Sequence, residues 1–244
     1  MDPHEAIINP IMGKKPPRLG NRCVMVANQP DLDYLHRLLK TGESKSQRLL
    51  MSRLNYGYEN TSMGIIGPFI GAPYSVILLE FLIAWGITEI VFFGWGGAVS
   101  EDVRIGDVII PDKAFIDDGT SKNYTAAQSS ETLPCASLQA RIKSTLIKNK
   151  VKFHEGSVWS TDAIFRETQE KVTYYQEQKA LAVEMESAAL FSVGNFRNID
   201  VGCILLVSDE LSSLKWKPGF KTPVFKKRRY QICKIISKFW SNKK

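Results

Sequence analysis

Residues 183–191 read VEMESAALF, an apolar stretch that nevertheless carries two carboxylates, Glu184 and Glu186, two positions apart. On a helix, side chains two apart project from different faces. At least one carboxylate therefore points toward whatever the apolar residues cover. A buried carboxylate without a partner is expensive, which calls for a hydrogen-bonding group or a ligand. Asp209 poses the same question, because it directly follows the apolar run VGCILLV in the tetrapeptide VSDE. Small or polar residues interrupt apolar segments at three more places: ANQPD (27–31), GWGGAV (94–99) and STDAIF (160–165). The three histidines, His4, His36 and His154, stand beside no cysteine or paired acid at ligand spacing, so no metal centre is expected.

Hydrophobic periodicity supplies the elements that position these residues. RCVMVA reads as a strand, NQPD as a turn, and LDYLHRLLKTG as a helix whose leucines recur at three and four. MGIIGPFIGAPYS is apolar chain broken by glycines, and VILLEFLIAWG is a buried helix ending on Gly86. ITEIVFFGWGGAV is a strand expected to stop where its glycines begin. IGDVIIP, EGSVWS and VGCILLVSDE read as further strands, with helices near 136–150, 167–179 and 183–195. Such alternation predicts one α/β domain over residues 22–244, a mixed sheet with helices on both faces. Ligand sites in such sheets lie beyond the carboxyl ends of the strands. Residues 1–21, rich in Pro, Gly and Lys, read as an arm laid on the surface or on a partner subunit.

The chain has 244 residues, 44% hydrophobic and 23% charged, enough to bury one large core. No apolar run reaches the ~18 residues needed to span a bilayer. Four scattered cysteines and no secretory leader point to reduced thiols in a soluble cytoplasmic protein, with Cys23 and Cys203 as core residues. The net charge of +7 is concentrated in GKKPPRLGNR and in the C-terminal segment from Lys217. There Tyr230, Cys233, Ile236 and Trp240 recur at helical spacing, which predicts a docked terminal helix in preference to a nucleic-acid or membrane contact.

VEMES, VSDE and GWGGAVSEDVRIGDVIIP together resemble the purine nucleoside phosphorylase and uridine phosphorylase superfamily, which includes related nucleoside hydrolases. The resemblance runs from about Arg22 to Ser241. It implies a three-layer α/β/α fold around a mixed, partly barrel-like sheet, and cleavage of the N-glycosidic bond of a nucleoside, a purine nucleoside first. It further implies no cofactor, phosphate as co-substrate, and a homo-oligomer, dimer or hexamer. On the family pattern Met185 packs under the ribose and Glu186 accepts hydrogen bonds from its secondary hydroxyls, charge-assisted bonds that offset the desolvation of the carboxylate. Asp209 would protonate the leaving base, oriented by Ser208. Ile164 or Phe165 would stack on the base, with Arg166 and Glu167 near its polar edges. Trp95 and Gly96 fall in the glycine-rich strand end beside the site. His4 matches an N-terminal histidine that some hexameric relatives send into a neighbouring site, although a terminal residue without that role is the plainer reading. Tyr56, Tyr58, Phe69 and Tyr74 fall near the segment that faces a partner.

The departures from the pattern concern phosphate. Family phosphorylases hold it with a GDPxR-type loop and an Arg and a Ser or Thr around the glycine-rich strand end. This chain has Ala27, Asn28, Gln29 and Pro30, then Leu32, Phe92 and Trp95. Each missing charged hydrogen bond forfeits about 1.5–3 kcal/mol. Arg22, Arg53 and Arg104 remain as donors, none at a matching position. Hydrolytic relatives keep an acid in the first loop to activate water, and Asp31 is the nearest candidate, with Asp33 two residues on. Phosphorolysis to base and ribose 1-phosphate is the first reading, with hydrolysis using Asp31 as base and nucleoside binding without turnover as the alternatives.

Overall fold

The computed structural model describes residues 6–10, 16–40, 43–59 and 61–240; His4 lies outside them. The chain order is β1 (Arg22–Val26), α1 (Gln29–Leu39), β2 (Lys45–Leu49), β3 (Ser52–Tyr56), β4 (Met63–Gly67), α2 (Ala72–Ala84), β5 (Glu89–Ala98) and β6 (Val108–Asp117). It continues with β7 (Glu131–Thr132), α3 (Ala136–Lys148), β8 (His154–Thr161), α4 (Gln169–Glu177), β9 (Ala182–Glu184), α5 (Ser187–Arg197), β10 (Asp200–Glu210), β11 (Lys217–Pro218) and α6 (Pro223–Phe239). All strands join one mixed sheet. Within it the pairings β5–β10, β10–β6, β6–β8, β8–β9 and β9–β5 close a ring of five strands.

The central strands are apolar on both faces because helices cover both. Successive side chains of a strand alternate between faces. Cys23 and Met25 of β1, with Ile90 and Phe92 of β5, accordingly pack into the core shared with α2 and α5. Their neighbours Val24, Val26, Val91 and Phe93 pack into the second core with α1, α3 and α6. This is the expected three-layer arrangement around a partly barrel-like sheet. Cys23 and Cys203 are core residues as expected. No described helix is long and apolar enough to cross a membrane.

Four expectations need correction. The helix expected over 183–195 begins only at Ser187, because the preceding residues pair as β9 with Gly97 and Ala98 of β5 and with β8. Strand β5 does not stop at its glycines but runs through them to Ala98. Those glycines are needed for close approach: a Cβ on Gly96 would sit 2.8 Å from the Val183 carbonyl oxygen, and one on Gly97 would sit 2.4 Å from Leu211 Cδ1. The terminal helix α6 docks as expected through Cys233, Ile236 and Trp240, but Tyr230 of the expected stripe stays exposed and Phe225 and Ile232 are buried instead. Of the four aromatics expected near a partner, Tyr58 and Phe69 are buried within the chain. The hairpin β2–β3 gave no clear alternation in the sequence and was not anticipated.

Helix α6 also buries Arg229, which donates to Asp31 Oδ1 from both Nε and Nη2 at 2.8 Å and so clamps α6 to α1. Removing one partner of a buried pair leaves an uncompensated charge. Arg229→Met should therefore lower the urea-unfolding free energy by about 3–5 kcal/mol. The double variant Asp31→Leu/Arg229→Met should recover most of that loss, since an apolar pair needs no compensation.

Candidate active site

A cavity of about 810 Å3 opens at the ends of β5, β9 and β10, facing the loops that precede α1 and α2. The junction between β9 and α5 forms one wall. Glu184, last residue of β9, is buried and accepts from the N–H groups of Glu186 (2.9 Å) and Ser187 (2.8 Å). These are donors at the helix start that lack partners within α5. Its other oxygen accepts from Ser160 Oγ on β8, and Ser160 Oγ in turn accepts from the Ala188 N–H at 2.9 Å. Burial raises the Glu184 pKa, against the lowering effect of those hydrogen bonds.

With Glu184 engaged in this way, Met185 and Glu186 are left between strand and helix, both lining the cavity. Glu186 is 5% exposed and accepts from the N–H of Gly71, 2.6 Å away at the start of α2. Gly71 has φ 81°, a left-handed conformation suited to glycine. Burial first, then the charge of Glu184, pushes the Glu186 pKa up to about 8. A ligand whose hydroxyls donate to this carboxylate would favour its ionised form.

The opposite wall comes from β10. Its register against β5 shifts between Val207, paired with Gly96, and Asp209, paired with Gly97. The bulge leaves Ser208 as the extra residue and brings both Ser208 and Asp209 to the cavity, where a regular strand would send neighbours to opposite faces. Ser208 Oγ donates to Asp209 Oδ1 at 2.6 Å, and the indole N–H of Trp216 donates to Oδ2 at 2.9 Å. Glu167 lines the cavity from the loop before α4, and burial, then the charge of Asp209, pushes its pKa up to about 7.

The structure therefore brings Met185, Glu186, Ser208, Asp209, Trp95, Gly96, Ile164 and Phe165 to one cavity. Phe165 stands at the rim, 97% exposed. Arg166, in the short 3-10 turn Ile164–Arg166, is not among the lining residues, and neither is Asp31. Asp31 is 1% exposed, with one oxygen on Arg229 and the other accepting from Trp95 Nε1 at 2.7 Å. It lies behind the wall, where it orients Trp95, and does not take the water-facing position expected from the first loop. The Arg229 guanidinium sits 5.0 Å over the Trp95 ring. Sequence reasoning missed Gly71, Phe220, Trp216 and Arg229, all of which reach the site or its wall through long-range folding.

The cavity's electrostatics are one-sided. Glu167, Glu184, Glu186 and Asp209 line it, and among the described residues no Lys, Arg or His does. Arg48 and Arg53 line a neighbouring pocket of about 300 Å3 that shares Gln29, Met51 and Pro68 with the cavity. Arg22 is instead directed to Glu89, at 3.8 Å.

The sequence pattern of the phosphorylase superfamily matches residues 21–238. A guanosine phosphorylase of Halorubrum lacusprofundi is 27% identical over 180 residues, covering 74% of each chain. The crystal structure of a uridine phosphorylase from Vibrio fischeri superposes with a TM-score of 0.79 at 22% identity, covering 91% of this chain and 92% of that one. A 5'-methylthioadenosine/S-adenosylhomocysteine nucleosidase from Helicobacter pylori superposes with a TM-score of 0.70 at 19% identity, covering 89% and 94%. At these identities the two superpositions speak for the fold alone.

Because the Glu186 pKa is raised to about 8, its carboxyl holds a proton in the folded protein that the unfolded chain releases near ~4.3. Its contribution to stability is fully present below that unfolded value and is lost as pH rises through about 8. Glu186→Gln, uncharged throughout, should accordingly melt above the wild type at pH ~9, with the gap closing toward pH ~4. A gap that stays constant across a pH series of thermal melts would assign the titration elsewhere.

Proposed function

The chain belongs to the phosphorylase superfamily, a family of enzymes, and from that premise we propose that it cleaves the N-glycosidic bond of a nucleoside, a purine nucleoside first. One observation carries the reading: Met185 with Glu186, and Ser208 with Asp209, line two walls of the same cavity. A nucleoside lying across it would present its ribose hydroxyls to Glu186 and its base to Asp209. Charge-assisted hydrogen bonds to Glu186 grip the sugar, and the carboxylate stabilises the positive charge that develops on the ribosyl ring as the bond breaks. Asp209 donates a proton to the base, so that the electron pair of the broken bond leaves on a neutral group. Trp95, Phe165 and Phe220 supply apolar surface for the base.

For the acceptor, the charge distribution favours water. Among the described residues the cavity is lined by four carboxyl groups and no cation, which gives a phosphate dianion entering it nothing to offset its desolvation. With Asp31 behind the wall, water would attack a highly developed ribosyl cation, which demands little activation of the nucleophile. Phosphorolysis is the second reading, and Arg48 and Arg53 in the adjoining pocket are what favours it. The exposed apolar residues Met51 and Ile70 on the cavity rim fit a homo-oligomer in which another copy covers them.

Product analysis with purine and pyrimidine nucleosides tests both levels. Base release accompanied by free ribose, at the same rate with and without phosphate, is expected. Ribose 1-phosphate formed only when phosphate is present would replace water by phosphate; binding without release would reduce the protein to a nucleoside-binding module. Asp209→Asn should lower kcat by about 100- to 10,000-fold, the range of a lost general acid.

A further inference from the structure

The segment between β10 and β11 supplies the part of the cavity wall that neither the strand pattern nor the family motifs anticipate. Trp216 lies in it, 64% exposed, an unusual place for an indole unless it has a task. Its N–H nevertheless reaches Asp209 Oδ2 at 2.9 Å, while Ser208 Oγ holds Oδ1 at 2.6 Å. Tryptophan donates and cannot accept, so this contact aims a fixed donor at the carboxyl oxygen. The ring is also the outer end of an aromatic row. Trp216 and Phe220 have centroids 6.4 Å apart, Phe220 and Trp95 6.2 Å, and Trp95 rests on the buried Asp31–Arg229 pair.

We propose that Trp216 is a positioning residue for Asp209, holding the carboxyl group toward the base and stabilising the carboxylate that remains once its proton has gone. The inference rests on the reading of Asp209 as proton donor. In that step the proton passes from Asp209 to a ring nitrogen of the base, the electron pair of the C1'–N bond passes to the base, and Asp209 becomes anionic. A hydrogen bond that strengthens as this charge develops stabilises the transition state more than the ground state, which raises the rate. Other charged groups around Asp209 oppose ionisation or are engaged elsewhere. Glu167 faces it from the loop before α4, Glu184 and Glu186 line the same cavity, and Lys217 of β11 is bonded to Glu210 at 3.0 Å. The paired position on β5 is Gly97, which carries no charge.

Trp216→Phe keeps an apolar ring and removes the donor, and two nucleosides separate its roles. Guanosine needs its base protonated to leave, whereas 7-methylguanosine carries a cationic base that leaves as a neutral one without help. The variant should lose about tenfold in kcat on guanosine, the worth of one hydrogen bond to a charged group, with KM within about twofold. On 7-methylguanosine kcat should stay within about twofold, because no proton from Asp209 is required. An equal loss on both nucleosides, or no loss on guanosine, would overturn the inference. The contact is also readable without turnover. The emission of Trp216, taken as wild type minus Trp216→Phe, should shift in Asp209→Asn; an unshifted emission overturns the pairing. Failure of the wild type to release base from either nucleoside would remove the proposed function instead, and the fluorescence comparison alone would then decide the inference.

Discussion

The carboxylate of Glu184 ties three elements together. Through one side chain the end of β9, the first turn of α5 and Ser160 of β8 are held in a fixed relation. An acid so deeply buried is tolerable only because its oxygens are matched by donors. The two residues that follow inherit the geometry. Met185 and Glu186 occupy the break between strand and helix, where the chain has neither the alternation of one nor the pitch of the other, and both can face the same cavity. Glu186 is then held by Gly71 at the start of α2, so this acid of the cavity wall is fixed by an element more than a hundred residues away in sequence.

The same dependence on distant partners explains what the sequence could disclose. The strand runs RCVMVA, IVFF and VGCILLV were legible because a sheet covered on both faces demands continuous apolar residues, α1 was legible from its leucine spacing, and α2 from an apolar run ending on Gly86. The motifs VEMES and VSDE marked the two walls. Their local structure was not legible, because Val183 pairs with residues on β5 and β8 that no local rule identifies. Glycines in GWGG read as a strand end by propensity, yet they are strand residues with two other chain segments pressed against them. Trp216 and Arg229 gave no signal at all. Each matters through one long-range contact, and each resembles an ordinary residue of a loop or a basic helix in the linear chain.

Asp31 shows how position in sequence and position in space can part. It sits in the first loop-to-helix turn, where an acid would be well placed to act on a ligand, and the fold turns it inward against Arg229 and Trp95. Its charge goes to holding the wall instead of to the cavity. The consequence is an interior with acids at both ends of the cavity and cations displaced to its flank or buried behind it.

The bulge in β10 has a further implication for how this chain can vary. Ser208 and Asp209 face the cavity together because one residue is left out of register with β5. Substitutions along the apolar part of β10 alter packing but leave that count intact. Loss or gain of a single residue within the strand changes the count, and with it which side chain emerges at the mouth. The length of β10 is thus more tightly constrained than its composition, so the segment should accept exchange of one aliphatic residue for another far more readily than any insertion or deletion.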